Sequence, residues 1–519
     1  MRIRILTLIF SLCAFAALAI PMRIHGQAGN GWHHRYKLID IGTFGGPNAG
    51  VNGPNVPIIS SNGTYGGEAE TSTPDPYAPN FCWNGDCLVM HPQKWRNGAL
   101  TDLGTLPGVN LTSEATWVSD NATIVGFSEN GLIDPLLGVP EIRAVFWTDD
   151  DQIINLGTLE GGYESFATAD NDSKQVAGFS LNTIPDPFSM FPCMFYGTCN
   201  PNSTQTRGFI WEHGVMQDLG TLGGPDTFPE AMNDRGQIVG WSYTNSTPIA
   251  SGGFACPPGV PAQDPFFWDK GEIVDIGTFG GTCGQAIFIN NSGQVVGTSS
   301  LAGNQTTHAF LWDRGTLEDL GTLGGVNAQA DWISDSGLIV GRADVSMQNT
   351  NHHAFLWKNG AMTDLGVIAP WPCSTALSVN SRGQVIGDTG ICGVGGGPNF
   401  FSENGQPMVD ISTLLLPGSD LTIVDLFDIN ERGEIAGGAV LPNGDEHAVV
   451  LIPCDENHPG VEGCDYSLVD PATVVEGQPT QISDSLAVPS QVNLFSTEPT
   501  ARYRSQVANR NRRLGVHHQ

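Results

Sequence analysis

Apolar and polar residues alternate along most of this chain, in short runs interrupted by Gly- and Asn-bearing turns. "AMNDRGQIVGWS" at 231–242, "IFINNSGQVVGTS" at 287–299 and "LSVNSRGQVIGD" at 377–388 carry β-branched and other apolar residues at every second place around an Asn-x-x-Gly turn. Period two predicts strands, and the turn chemistry predicts hairpins. An aromatic run follows each pair: "RAVFW" at 143–147, "RGFIW" at 207–211, and "HAFLW" at 308–312 and 353–357. A short turn then leads to "DLG" or a variant, at Asp40, Asp102, Asn155, Asp218, Asp275, Asp319, Asp364 and Asp410.

Each unit therefore offers four strands in roughly 45 residues, too few to bury both faces of a sheet unaided, whereas sheets stacked about 10 Å apart bury one another. Four strands at this period predict an all-β propeller of eight antiparallel blades, a parallel β-helix coil being shorter. Within a blade "A-x-x-I-N" lies innermost, then "GQIVG", "HAFLW" and, outermost, "DLG". The "GTLGG" segments cross from one rim to the next axis. The chain ends support a ring. "YKLIDIG" at 36–42 has no strands before it, and the last unit stops after "HAVVLIP", one strand short. Pairing the first strand beside the last three completes the eighth blade and removes two open edges; seven blades plus an irregular unit is the alternative closure.

Composition fits this fold. The 66 Gly and 34 Pro of the 519 residues argue against a helical solenoid. Arg2 and Arg4 precede an apolar run, Ile5–Ile20, with small-residue cleavage sites ending at Ala19 or Ala28, which predicts a signal peptide over 1–28 and a secreted protein, with a periplasmic one as the alternative. No later segment is apolar enough to span a membrane. Residues 29–464, the propeller, hold 14 basic and 48 acidic side chains; such a surface repels nucleic acid and excludes it as a partner. Residues 465–519 are expected to be a polar linker and a basic, disordered tail.

The ten cysteines beyond Cys13 pair by proximity as Cys82–Cys87, Cys193–Cys199, Cys256–Cys283, Cys373–Cys392 and Cys454–Cys464, as suits an exported chain. "CWNGDC" lacks the second knuckle a zinc site needs.

The words "HAFLW", "DLGTLGG" and "RGQIVG" resemble the extracellular HAF-repeat family of bacterial proteins over about residues 36–453. The resemblance implies an exported repeat protein and no particular chemistry. Asn155 for Asp, Ser412 for Gly and Ser402 for Trp depart from the motif as worn copies of a structural element.

The repeated His falls at His91, Arg143, Arg207, Asp264, His308, His353, Pro398 and His447. A position that accepts Arg, Asp and Pro is a polar strand entrance rather than a metal ligand. The repeated Asp is expected to accept backbone N–H groups in its turn. No nucleophile elbow, zinc-protease or phosphate-loop motif occurs, so no catalytic residue, metal ligand or cofactor is assigned.

What fails to repeat carries the functional expectation. Insertions at about 67–92, 128–142, 180–206 and 243–264 separate the second and third strands of the first four units, and so emerge on one face. Their aromatics, Trp83, Phe191, Tyr196 and Phe254 among them, are candidate binding residues for an extracellular polysaccharide or protein, unless the loops pack as lids over the blade ends. The alternatives are a carbohydrate-active hydrolase or lyase with acids near the axis, and an architectural surface or matrix protein.

Overall fold

The computed structural model describes residues 33–470 except 51–55, 160, 197–201, 251–255, 257 and 349. The expected signal peptide, Phe254, the expected Cys193–Cys199 pair and most of the tail lie outside the described residues.

The chain is all-β, built of four-stranded antiparallel sheets that each follow the predicted order. In the unit Ser113–Val118, Ile124–Ile133, Pro140–Trp147, Ile153–Gly157 the strands pair in sequence from the inside outward. Two consecutive units join into one eight-stranded sheet through a parallel bridge, Gln263 to Cys283. The strand Tyr36–Asp40 pairs with Glu446–Pro453, Lys37 opposite Ile452 and Asp40 opposite Val449, and supplies the fourth strand the last unit lacks. Beyond this, His33–His34 pair with Leu468–Val469, so ordered pairing runs slightly past the 465 boundary expected for the linker.

The repeated words have local physical reasons. The Phe of the third strand is fully buried in every copy that has one: Phe209, Phe266, Phe310, Phe355 and Phe400 are each 0% exposed. Each such burial contributes ~1.5–3 kcal/mol, and these rings and the neighbouring tryptophans join successive sheets into one core. The Gly closing "IVG" answers a bulge in the inner strand. The register slips between Ala286 and Phe288, and a Cβ on Gly297 would lie 2.0 Å from the Gln285 carbonyl oxygen. The same approach recurs at Gly126, Gly240 and Gly341.

The Asn of each inner turn ties one unit to the next. Asn233 accepts from Arg235 and Gln237 backbone N–H groups within its own turn, and its Nδ2 donates to the Asn290 carbonyl at 3.0 Å. Asn290 donates likewise to Ser334, and Asn430, in the last unit, to Ser60 in the first at 2.9 Å.

The "DLG" Asp behaves as expected. Asp319 accepts the Gly321 N–H at 2.8 Å, and Gly321 has φ +76°, a conformation glycine adopts without strain. The same carboxylate receives His308 Nδ1 at 2.8 Å, so the His and Asp, 11 residues apart, clasp the third strand to the fourth. His91–Asp102, His353–Asp364, Arg207–Asp218 and His447–Asp40 repeat the clasp. The substituted copies keep the turn: Asn155 accepts from Gly157 at 2.8 Å, and Asp410 from Ser412 at 2.9 Å.

Inner strands from distant units meet around an axis. Trp117 stacks on Phe288 at 6.0 Å and Phe288 on Trp332 at 4.0 Å, an aromatic plug contributed by three units. Beyond the plug, toward the Asn-bearing turns, a cavity of about 150 Å³ is lined from every unit. Together these place the sheets as the blades of a β-propeller.

Candidate functional site

Inner turns lie at one end of the blades; the inter-unit crossings and the insertions lie at the other. The insertions form a second, largely aromatic core on their own end, centred on Trp83, Phe127, Phe179, Phe191, Phe195 and Phe228. The Cys82–Cys87 disulfide closes the first loop, and a short helix, Met190–Phe195, forms within the third. Of the four candidate binding aromatics, Trp83 is 4% and Phe191 0% exposed. Trp83 Nε1 donates to Glu129 Oε1 at 2.7 Å. Tyr196 is half-buried against Phe81, Trp83 and Phe191. Trp83 and Phe191 therefore pack the loops together as lids rather than facing solvent. Among the described residues, the large hydrophobic side chains that these loops expose are Leu132, Ile133, Leu136 and Ile184.

A large opening on this end lies elsewhere, between the first and last units. This cleft of about 590 Å³ is lined by Asn48, Glu68, Glu70, Asp86, Glu446 and His447, among others, over apolar Met90 and Phe427. Its parts are held from both sides. Asn48 Nδ2 donates to Glu70 at 3.1 Å and to Asp86 at 2.8 Å, and Asn48 Oδ1 accepts the Glu446 N–H at 3.1 Å. The disulfide-closed loop sets Asp86, and the Asn84 side chain clamps that loop onto Leu88 through both its amide atoms. His447 is turned onto Asp40 at 2.8 Å.

Burial pushes the Glu70 carboxyl up to about 7; the Asn48 N–H bonds oppose this, and the Asp86 charge adds to it. A carboxyl balanced near neutrality beside a second carboxylate can accept hydroxyl hydrogen bonds in one state and donate a proton in the other. Among the described residues the one His/Cys/Asp/Glu trio with ligand atoms within 4.8 Å is His352, Cys373 and Cys392, and its two sulfurs are joined in a disulfide. Cys256–Cys283 and Cys454–Cys464 are also formed.

Sequence reasoning passed over this cleft. Glu68 and Glu70 sit in "YGGEAETS", Asp86 in "CWNGDC" and Glu446 near the far end of the repeats. No spacing joins them, because the contact between first and last units creates the site. The one available signal was the acid inside the disulfide-closed loop.

No family model matches the chain, and no curated protein matches it. Solved structures similar to it include the β-propeller domain of the Trilobed protease from Pyrococcus furiosus, 9% identical, covering 70% of this chain and 97% of that one with a TM-score of 0.38. A polysaccharide lyase, an ulvan lyase, is 11% identical, covering 80% and 96% with a TM-score of 0.34. A gluconolactonase from Xanthomonas campestris is 9% identical, covering 53% and 90% with a TM-score of 0.25. At these values the likenesses carry no argument about function.

Proposed function

We propose that the chain is an exported, eight-bladed propeller of the HAF-repeat type, closed by its N-terminal strand, that binds an extracellular polysaccharide in the cleft between its first and last blades. The observation that carries this reading is the cleft itself: about 590 Å³, walled by amides and carboxylates, with one wall held rigid by a disulfide. Carboxylate and amide groups pair with adjacent sugar hydroxyls, and an apolar floor accepts the ring's C–H face. The disulfides support export. No helix among the described residues is long and apolar enough to cross a membrane.

The test is retention of the full chain on a panel of immobilised polysaccharides. Hydrogen bonds to charged groups contribute ~1.5–3 kcal/mol each, so Asp86→Ala with Glu446→Ala should weaken retention by at least about tenfold. Unchanged retention by the double variant discards the cleft as the binding site.

Glu70 favours a second reading, a carbohydrate-active hydrolase or lyase. Its carboxyl, pushed up to about 7 beside Asp86, is poised for general acid–base chemistry at neutral pH. Turnover of a retained polysaccharide that Glu70→Gln abolishes supports the enzyme; retention without turnover supports the binder.

A further inference from the structure

The opposite end of the axis bears a feature the cleft does not explain. The second residues of the inner turns form a ring around the axis that includes the acids Asp120, Asp172, Asp234, Asp335 and Glu431, and six of its steps are bridged by a backbone N–H of one turn donating to a side chain of the next. Ser61 N–H donates to Asp120, Asn121 to Asp172, Asp172 to Asp234 and Asp234 to Asn291. Asn291 donates to Asp335, and Ser381 to Glu431. Within the ring lies the axial cavity, about 150 Å³, lined by six carboxylates, Asp120, Asp170, Asp234, Asp335, Asp428 and Glu431, and by no Lys, Arg or His.

Two of these acids are buried below the rim. Asp428 is satisfied: Ile58 and Ile59 N–H groups donate to one oxygen and Ser378 Oγ to the other. Asp170 is not. It is 2% exposed; Thr123 Oγ1 donates to its Oδ2, the Ser119 hydroxyl lies nearby but gives its one proton to Asn121 Oδ1 within its own turn, and Asp170 Oδ1 has no hydrogen-bond partner. A buried carboxylate oxygen without a donor, in a cavity with no basic side chain, costs free energy unless positive charge enters.

We infer that the axial cavity binds a hydrated divalent cation of the Ca²⁺ type, with Asp170 as its innermost oxygen and the ring acids as its rim. Ca²⁺ takes six to eight oxygen ligands in adaptable geometry. Among the described residues no three of these acids bring oxygens within 4.8 Å of one another, so water completes the coordination shell. At about 30 Å³ per water, the cavity has room for an ion and several waters. Protonation is the competing source of positive charge: burial holds the Asp170 carboxyl well above its usual range and raises Asp428 to about 6. Cation binding therefore strengthens as pH rises.

Terbium provides the test, because Trp117 and Trp332 line the same cavity and can transfer excitation to it. Full-length protein titrated with Tb³⁺ should show tryptophan-sensitised emission that Ca²⁺ displaces. Asp170→Asn should raise the half-saturating Tb³⁺ concentration about tenfold or more. Glu431→Gln, at an exposed rim position, should raise it severalfold and keeps the proposal testable if Asp170→Asn does not fold. Trp332→Phe should lower the emission without moving the Ca²⁺ concentration that displaces it. Absence of sensitised emission overturns the proposal, as does emission insensitive to both acid substitutions. So does emission that Glu70→Gln removes, which would move the cation to the cleft.

Discussion

Gly297 shows how one missing side chain holds a blade in register. The Gln285 carbonyl would lie 2.0 Å from a Cβ there, and that carbonyl belongs to the backbone at the inner-strand bulge. Gly297→Ala must push two strands apart, and an expected loss of about 2–4 kcal/mol follows from overpacking a rigid contact. Gly98→Ala meets no atom within 4 Å but has φ +83°, so it should cost only ~1 kcal/mol of backbone strain. Chemical denaturation of both variants checks the contrast; equal losses would remove the steric explanation. Asp264 is the converse case, a residue at odds with its place. It occupies the His position of the clasp, facing Asp275, and burial together with that neighbouring charge raises its carboxyl to about 6. Its folded pKa lies above the unfolded value, so the penalty is absent below about pH 4, grows through pH 6 and is complete above it. Asp264→Asn should therefore stabilise by about 1 kcal/mol at pH 7, allowing for solvent screening, and by nothing at pH 4. A gain independent of pH would show that charge is not the cause.

Between residues and the whole, the four-stranded unit is secured at both ends by different chemistry. At the inner end the Asn of each turn is shared between its own turn and the next unit, as in Asn233 and Asn290. At the outer end the His–Asp clasp links the third and fourth strands. Burial raises the Asp102 and Asp364 carboxyls, yet the hydrogen bonds and charges of His91 and His353, with the Gly104 and Gly366 N–H groups, outweigh it and hold both below the usual value. Depressed carboxyl pKa values contribute stability that is present above the unfolded pKa and is lost as pH falls through the folded one. Asp364→Asn should therefore destabilise at pH 7 by about 1 kcal/mol and make little difference below pH 3. Thermal melts across pH check this, and a loss unchanged at pH 3 would assign the effect to the Gly366 turn alone. The elements themselves were legible in the sequence. "DLG", "HAFLW" and "GQIVG" predicted strand order and turn chemistry, because each word records contacts within a unit or with its immediate neighbour.

At the scale of the molecule, the strand Tyr36–Asp40 belongs to the last unit. Leu38 is 8% exposed within the core of that unit. Ile39→Pro, beside it and at a position that faces Val450 across the ladder, would remove a ladder hydrogen bond and bend the strand, opening the contact between first and last units. The expected outcome is early proteolysis near both chain ends, together with loss of the proposed polysaccharide retention, because the cleft straddles that contact. Retention that survives the opened contact would separate binding from the cleft. The acidic ring at the other end also depends on all the units together.

Local rules read along the sequence decided the strands, their order within a unit, the turns, the disulfide partners that could be seen and the structural character of the repeated His and Asp. They succeed because period, turn chemistry and close backbone approach act over a few residues, or recur at a fixed step. Tertiary structure alone decided what is buried and what converges. Aromatics such as Trp83 and Phe191, equally suited to a binding surface or a small core, were drawn inside once four loops met on one end. Glu70, Asp86 and Glu446, and separately Asp170 and the ring acids, acquired their chemistry only when distant segments were brought around one axis, since burial and the electrostatic field of neighbours depend on position in space rather than order along the chain.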